Sequence, residues 1–179
     1  MAIPAGTYTL GPEQGTLSVR TRRTGAAAMA GHNLLFNVTA WKASLVVGED
    51  PADSTLALEV DGASLKVLEG TGGVQSLGDD DKAEIEQTID KDVLKRQEIT
   101  FRSTAVEPDD AGGGLRVQGN LTLLGQTRPL AFDVALGDDG AIRAAAVVKQ
   151  TAWGMKPYST LYGALKVVDE VEISLAGSV

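Results

Sequence analysis

Polar and apolar residues alternate along most of this chain. In GTLSVRT, Leu17 and Val19 fall on one side and Ser18 and Arg20 on the other. In STLALEVDG, Leu56, Leu58 and Val60 oppose Ala57 and Glu59. LRVQGNLTLLG sets Leu115, Val117, Gly119, Leu121 and Leu123 against Arg116, Gln118, Asn120 and Thr122. PLAFDVALG puts Leu130, Phe132, Val134 and Leu136 on one face. KVVDEVEISLAG does the same with Val167, Val171, Ile173 and Leu175. In EITFRSTAVE, one face takes Ile99, Phe101, Ser103 and Ala105. A period of two predicts strands with one buried and one wet face.

Turn signals separate these runs: Gly11-Pro12, Asp61-Gly62, Pro108 to Gly114, Gly125-Gln126 and Asp138-Asp139-Gly140. Asp139-Gly140 between two alternating runs predicts a tight hairpin. One segment departs from the period. Asp79 to Gln97 reads as a helix, with Asp79, Asp80 or Asp81 as its cap, Ile85 and Ile89 on one face, and Lys95 and Arg96 near its end. It is either a surface helix covering the sheet or a lid over a mouth. A second short helical or irregular piece is expected around Ala26 to Gly31. With no repeat and no linker composition, residues 1–179 read as one all-β domain: an antiparallel barrel of about eight strands with one or two short helices.

Composition bears on the interior. Aromatics make up 4% of the chain, so its core must be aliphatic and small. Ile142, Ala144, Ala146 and Val148 share one face of AIRAAAVVKQ, and Gly119 interrupts another apolar face. Such faces leave the axis of an eight-stranded barrel unfilled, and interiors pack densely unless something occupies the space. Either an apolar guest lies there, or the barrel is flattened and packs itself. The net charge of −8 disfavours nucleic acid and strong electrostatic attraction to anionic membranes. No apolar run reaches the length that spans a bilayer, so stable membrane insertion is not expected. The start, MAIPAGTYTL, has neither a basic region nor an apolar one, which gives a cytoplasmic expectation.

Catalytic signals are weak. His32 is the single histidine, there is no cysteine, and neither a Ser-His-Asp triad nor a metal centre is expected. Asp79-Asp80-Asp81 lacks calcium-loop spacing, and Gly112-Gly113-Gly114 lacks the lysine of a phosphate loop. The stretch from Ala152 to Lys166 holds Trp153, Met155, Tyr158, Leu161 and Tyr162. It is either an amphipathic pocket rim or a hydrophobic plug. Trp41 is either core or pore lining.

Several segments together resemble the YceI-like, polyisoprenoid-binding family over nearly the whole chain. They are GTYTLGPEQGTLSVRT, GHNLLFNVTAWKASL, DKDVLKRQEITFRSTAVE and above all GNLTLLGQTRPLAFDV, Gly119 to Val134, with its Gly-x-Leu-Thr-x-x-Gly-x-Thr-x-Pro pattern. Where many members carry a His-Ser pair, this chain has Gln14-Gly15. The resemblance implies an extended, lipocalin-like antiparallel barrel holding an isoprenoid, isoprenoid quinone or fatty-acid derivative, with homodimer formation open. The expected function is binding, carriage or storage of an apolar, chain-like small molecule, without catalysis or a cofactor. An enzyme acting on a small lipid or quinone in the same cavity, or a protein-interaction module, are the alternatives. The expected ligand contacts are Phe36, Trp41, Phe101, Leu121, Leu123, Phe132, Val134, Ala144 and Ala146. Trp153, Met155, Tyr158, Leu161 and Tyr162 join them from the aromatic-rich stretch.

Overall fold

The alternating runs do fold as strands. A computed structural model describes residues 3–109 and 113–179. In chain order the strands are β1 (Gly6–Leu10), β2 (Gly15–Thr21), β3 (Arg23–Thr24), β4 (Asn33–Val38), β5 (Trp41–Val47), β6 (Thr55–Val60) and β7 (Leu65–Thr71). Helix α1 (Asp79–Thr88) follows and runs into a wider π turn at Ile89–Val93. Then come β8 (Ile99–Asp109), β9 (Gly114–Leu123), β10 (Gln126–Leu136), β11 (Ala141–Lys149), β12 (Ser159–Thr160), β13 (Leu165–Val167) and β14 (Glu170–Ser178). The expected reversal at Pro108 to Gly114 passes through residues 110–112, outside the described residues.

Eleven strands form one antiparallel sheet in the order β1-β5-β6-β8-β9-β10-β11-β14-β2-β4-β7. This exceeds the expected eight, while the class is the expected one. The sheet curls until strands distant in that order, such as β2 and β5, face the same interior. A second, three-stranded sheet, β12-β13-β3, projects from the end of β2.

Two local rules shape the curl. β8 carries a bulge at Thr104, where two residues stand against one on β9. A bulge reverses the alternation. Ala105 therefore turns outward and Val106 inward, which corrects the expectation that Ala105 shares the face of Phe101. The β9–β10 hairpin closes at Leu124 and Gly125, with φ of 52° and 70°, so the turn sits one residue earlier than Gly125-Gln126. The turn at Asp139-Gly140 is as expected: Gly140 N–H donates to Gly137 O at 3.1 Å, and Asp139 Oδ1 accepts from Ala141 N–H at 3.1 Å.

β10 and β11 part company along half their length. Their ladder runs only from Asp133↔Ala145 to Leu136↔Ile142, whereas β9 and β10 pair from Gln126 to Val134. Pro129, which cannot donate to a ladder, lies in the stretch that β11 leaves unpaired. The turn at Gln150–Trp153 packs against that stretch. Trp153 is buried there and donates its indole N–H to Leu121 O at 2.9 Å.

The helix is shorter than expected and is capped differently. Gly78 is its N-cap, and Asp81 accepts from the Gly78 N–H at 2.8 Å; Asp79–Asp81 occupy the first turn. The π turn ends at Leu94. Lys95 and Arg96 follow with φ of 52° and 57°, outside the helix, so they do not sit in its last turn. The short piece expected near Ala26 to Gly31 is a 3-10 turn at Ala28–Ala30.

Candidate functional site: an apolar chamber

The inward faces enclose a chamber of about 240 Å³. Its wall is aliphatic on every side, with Phe36, Phe101 and Phe132 as its aromatic members. Phe101 and Phe132 meet at 5.2 Å between ring centroids, tilted by 54°. The Phe101 ring occupies the space that a side chain at position 119 would need. Gly119 therefore adds no room to the chamber; it makes way for Phe101. Ala43 on β5 and Ala144 and Ala146 on β11 are the small side chains of the inward rows that line it. Val19, Leu58, Leu130, Phe132, Ile173 and Leu175 face inward yet are half-buried, because the space before them is unfilled.

Helix and π turn close part of this chamber. Ile89, Val93 and Leu94 line it, and Leu94 packs beside Gly62. Glu86 fastens the helix to the edge of the sheet. Its Oε1 accepts from Val67 N–H at 2.9 Å and its Oε2 from Lys66 Nζ at 3.1 Å. A carboxylate thus satisfies a backbone donor on an edge strand that has no further strand beside it.

Nine of the expected contacts line the chamber: Phe36, Phe101, Leu121, Leu123 and Phe132, then Val134, Ala144, Ala146 and Met155. Five do not. Trp41 is buried outside the chamber wall, with its indole N–H unpartnered among the described residues. Trp153 is held against β9 by its indole N–H. Tyr158 and Leu161 lie on the surface, about half exposed, and Tyr162 is fully exposed. The aromatic-rich stretch thus divides: Met155 joins the wall, Trp153 fills the parting of β10 and β11, and the rest points away.

Two polar residues line the chamber and were not among the expected contacts. Thr21 ends the inward row Leu17, Val19, Thr21, and Gln150 ends the row Ala146, Val148, Gln150. Both are more than nine-tenths buried. The strict alternation of both runs marks these positions, so the pattern itself could have found them. Gln150 donates from Nε2 to Val168 O at 3.1 Å, and its Oε1 has no partner among the described residues; nor has the Thr21 hydroxyl. The backbone of Gln150 is pinned by Asp169, whose main-chain O accepts from Gln150 N–H at 3.0 Å. The Asp169 carboxylate accepts from Thr151 N–H at 2.8 Å and from the Thr151 hydroxyl at 2.6 Å. Burial pushes that carboxyl upward, but the two Thr151 bonds and nearby Lys149 outweigh it and hold Asp169 below the usual carboxylate range.

His32 lies apart from the chamber wall, with Nε2 at 2.6 Å from Gln75 O. No group of three or more His, Cys, Asp or Glu side chains suited to a metal occurs among the described residues. No helix among them is long and apolar enough to cross a membrane.

A curled antiparallel sheet around an apolar chamber, with a helix and π turn closing part of it, defines the lipocalin-like class of β-folds. Within that class the chain belongs to the YceI-like domain family, whose pattern matches residues 8–179. Three solved structures share the fold. BcnA of Burkholderia cenocepacia is 19% identical, covering 90% of this chain and 94% of its own, with a TM-score of 0.64. A polyisoprenoid-binding domain from Saccharophagus degradans is 9% identical, covering 98% and 100%, with a TM-score of 0.54. The Campylobacter jejuni YceI protein is 18% identical, covering 76% and 80%, with a TM-score of 0.51. At these identities the likeness is one of fold. A comparison with curated proteins finds no match.

Proposed function

We propose that this protein binds an apolar, long-chain molecule of the isoprenoid, isoprenoid-quinone or fatty-acid-derivative kind inside the chamber, and carries or stores it without chemical change. One observation carries the reading: a chamber of about 240 Å³ whose wall is apolar except at Thr21 and Gln150. Water gains little from such a wall, whereas a hydrocarbon chain removes apolar surface from solvent on both sides of the contact. The relative from Saccharophagus degradans, described as a polyisoprenoid-binding domain, supports the same ligand class.

Thr21 and Gln150 set the rest of the ligand's chemistry. Both are uncharged, and among the described residues the chamber wall contains no charged side chain. A buried carboxylate or diphosphate would remain unpaired at a cost of several kcal/mol or more. A chain bearing one neutral hydroxyl or carbonyl fits this wall. Enzymatic use of the chamber finds little support, because among the described residues its wall has no histidine, carboxylate, lysine or cysteine to act as acid, base or nucleophile.

Extraction of the purified protein into organic solvent, followed by mass spectrometry, tests the proposal. A stoichiometric long-chain molecule with a neutral polar group is the expected result. A protein that is folded, empty and unable to take up isoprenoid alcohols or quinones from detergent would overturn it.

A further inference from the structure

The three-stranded sheet at the end of β2 does not contribute to the main sheet, yet it is tied to the chamber at two points. Thr21, in the chamber wall, leads through Arg22 directly into β3. Met155, also in the wall, leads through Lys156 and Pro157 to Tyr158. Around this small sheet lie four of the nine large apolar side chains left exposed among the described residues: Met29, Tyr158, Leu161 and Tyr162. The loops that carry them are held together. Ala27 N–H donates to Ala164 O at 2.8 Å, and Gly31 packs against the Leu165 side chain.

The turn bearing Leu161 and Tyr162 is a costly one. Leu161, Tyr162 and Gly163 run in succession at φ of 52°, 54° and 85°. Two side chains in left-handed backbone, both turned to solvent, gain nothing from the fold in return. Tyrosine and leucine displayed this way beside basic residues suit the boundary between water and lipid.

Charge is distributed to match. Residues 20–33 and 149–172 carry six Lys and Arg against three Asp and Glu, a net +3, which leaves −11 on the remainder of a chain of net charge −8. The acids are Asp169, Glu170 and Glu172. Glu172 pairs with Arg22, and Glu170 stands opposite Lys149. Lys156 and Lys166 make no ion pair among the described residues. Residues 70–73 pack against Arg23 and His32 and lead to Asp79–Asp81, so the basic character of the patch rests on Lys156 and Lys166.

We propose that this small sheet docks the protein on an anionic lipid bilayer, with Leu161 and Tyr162 entering the interface and Lys156 and Lys166 meeting lipid phosphates. The docking rests on the patch itself; its use in moving a ligand between bilayer and chamber rests on the chamber reading above. Thr21 and Gln150 then lie at the end of the chamber nearest the docked sheet.

Vesicle flotation with the full chain tests it. Vesicles of equal parts phosphatidylcholine and phosphatidylglycerol should float the protein, and vesicles of phosphatidylcholine alone should float it far less. Leu161→Asn with Tyr162→Asn removes the apolar contact while using a residue that accepts left-handed backbone, and partitioning should fall about tenfold or more. Lys156→Glu with Lys166→Glu should abolish the preference for the anionic vesicles. Retention of ligand supplied in detergent should be unchanged in both variants. Failure of the wild-type chain to float, or equal flotation of the Asn variant, overturns the proposal. So does sedimentation showing that these side chains instead pair two copies of the chain, with dimerisation lost in the Asn variant. A protein that floats but yields no extractable lipid leaves docking standing and removes the chamber reading; one that carries lipid and ignores vesicles does the reverse.

Discussion

Asp169 shows how much one half-buried carboxylate can organise. It fixes the turn that presents Gln150 to the chamber, and its two bonds to Thr151 hold its pKa below the ordinary value. A depressed carboxyl stabilises the fold once the pH exceeds the unfolded pKa, and that stability drains away as the pH falls through the folded one. Asp169→Asn should therefore lower the urea midpoint at neutral pH, with the gap to wild type closing as acid protonates Asp169. A gap that persists or widens in acid would show that the carboxyl is not engaged. Residue by residue, the sequence was legible where a side chain obeyed its period. Thr21 and Gln150 obeyed it, although polar residues closing an apolar row draw no notice when candidate contacts are sought among large apolar ones. Leu161 and Tyr162 were misplaced for a different reason. Left-handed backbone costs an L-residue about 1–2 kcal/mol, so no propensity predicts two in a row, and large apolar side chains are expected to point inward.

At the scale of elements, alternation predicted most strands and the inward faces of β2, β6, β9, β10 and β14, because a half-buried strand repeats its environment every second residue. It failed at β8, where the extra residue Thr104 moved Val106 inward in place of Ala105. Nothing in EITFRSTAVE distinguishes a bulge from a straight strand; the extra residue shows only in the register against β9. The helix was legible as a helix but its task was not, since Glu86 looks like any solvated acid until its carboxylate is found on the Val67 amide. Glu86→Ala should strand that edge-strand donor and cost about 1–3 kcal/mol. Glu86→Gln keeps an acceptor there and should cost less. Hydrogen exchange at the Val67 amide is the direct readout: it should accelerate well beyond neighbouring amides in the Ala variant. Equal exchange in wild type and both variants would mean that the helix is not fastened by this contact.

For the whole molecule, what matters is whether the chamber is truly unfilled or is merely loose packing, and stability decides it by sign. Ala144 and Ala146 stand side by side on the inward face of β11, each half-buried against free space. Enlarging both to leucine adds about three carbons at each position. In a closed core, overpacking of this kind costs about 1–3 kcal/mol per site. In a chamber of about 240 Å³ the new methylenes cover apolar wall that now lacks any partner. Each buried methylene contributes up to about 0.8 kcal/mol, so the ligand-free double variant should be as stable as wild type or more so. The same change removes the room a hydrocarbon needs, and extractable lipid should disappear from the variant while its strand content stays intact. The two readouts move in opposite directions only if space is the functional feature. A variant that loses stability and still retains lipid would place the ligand elsewhere in the molecule and make the interior an ordinary core.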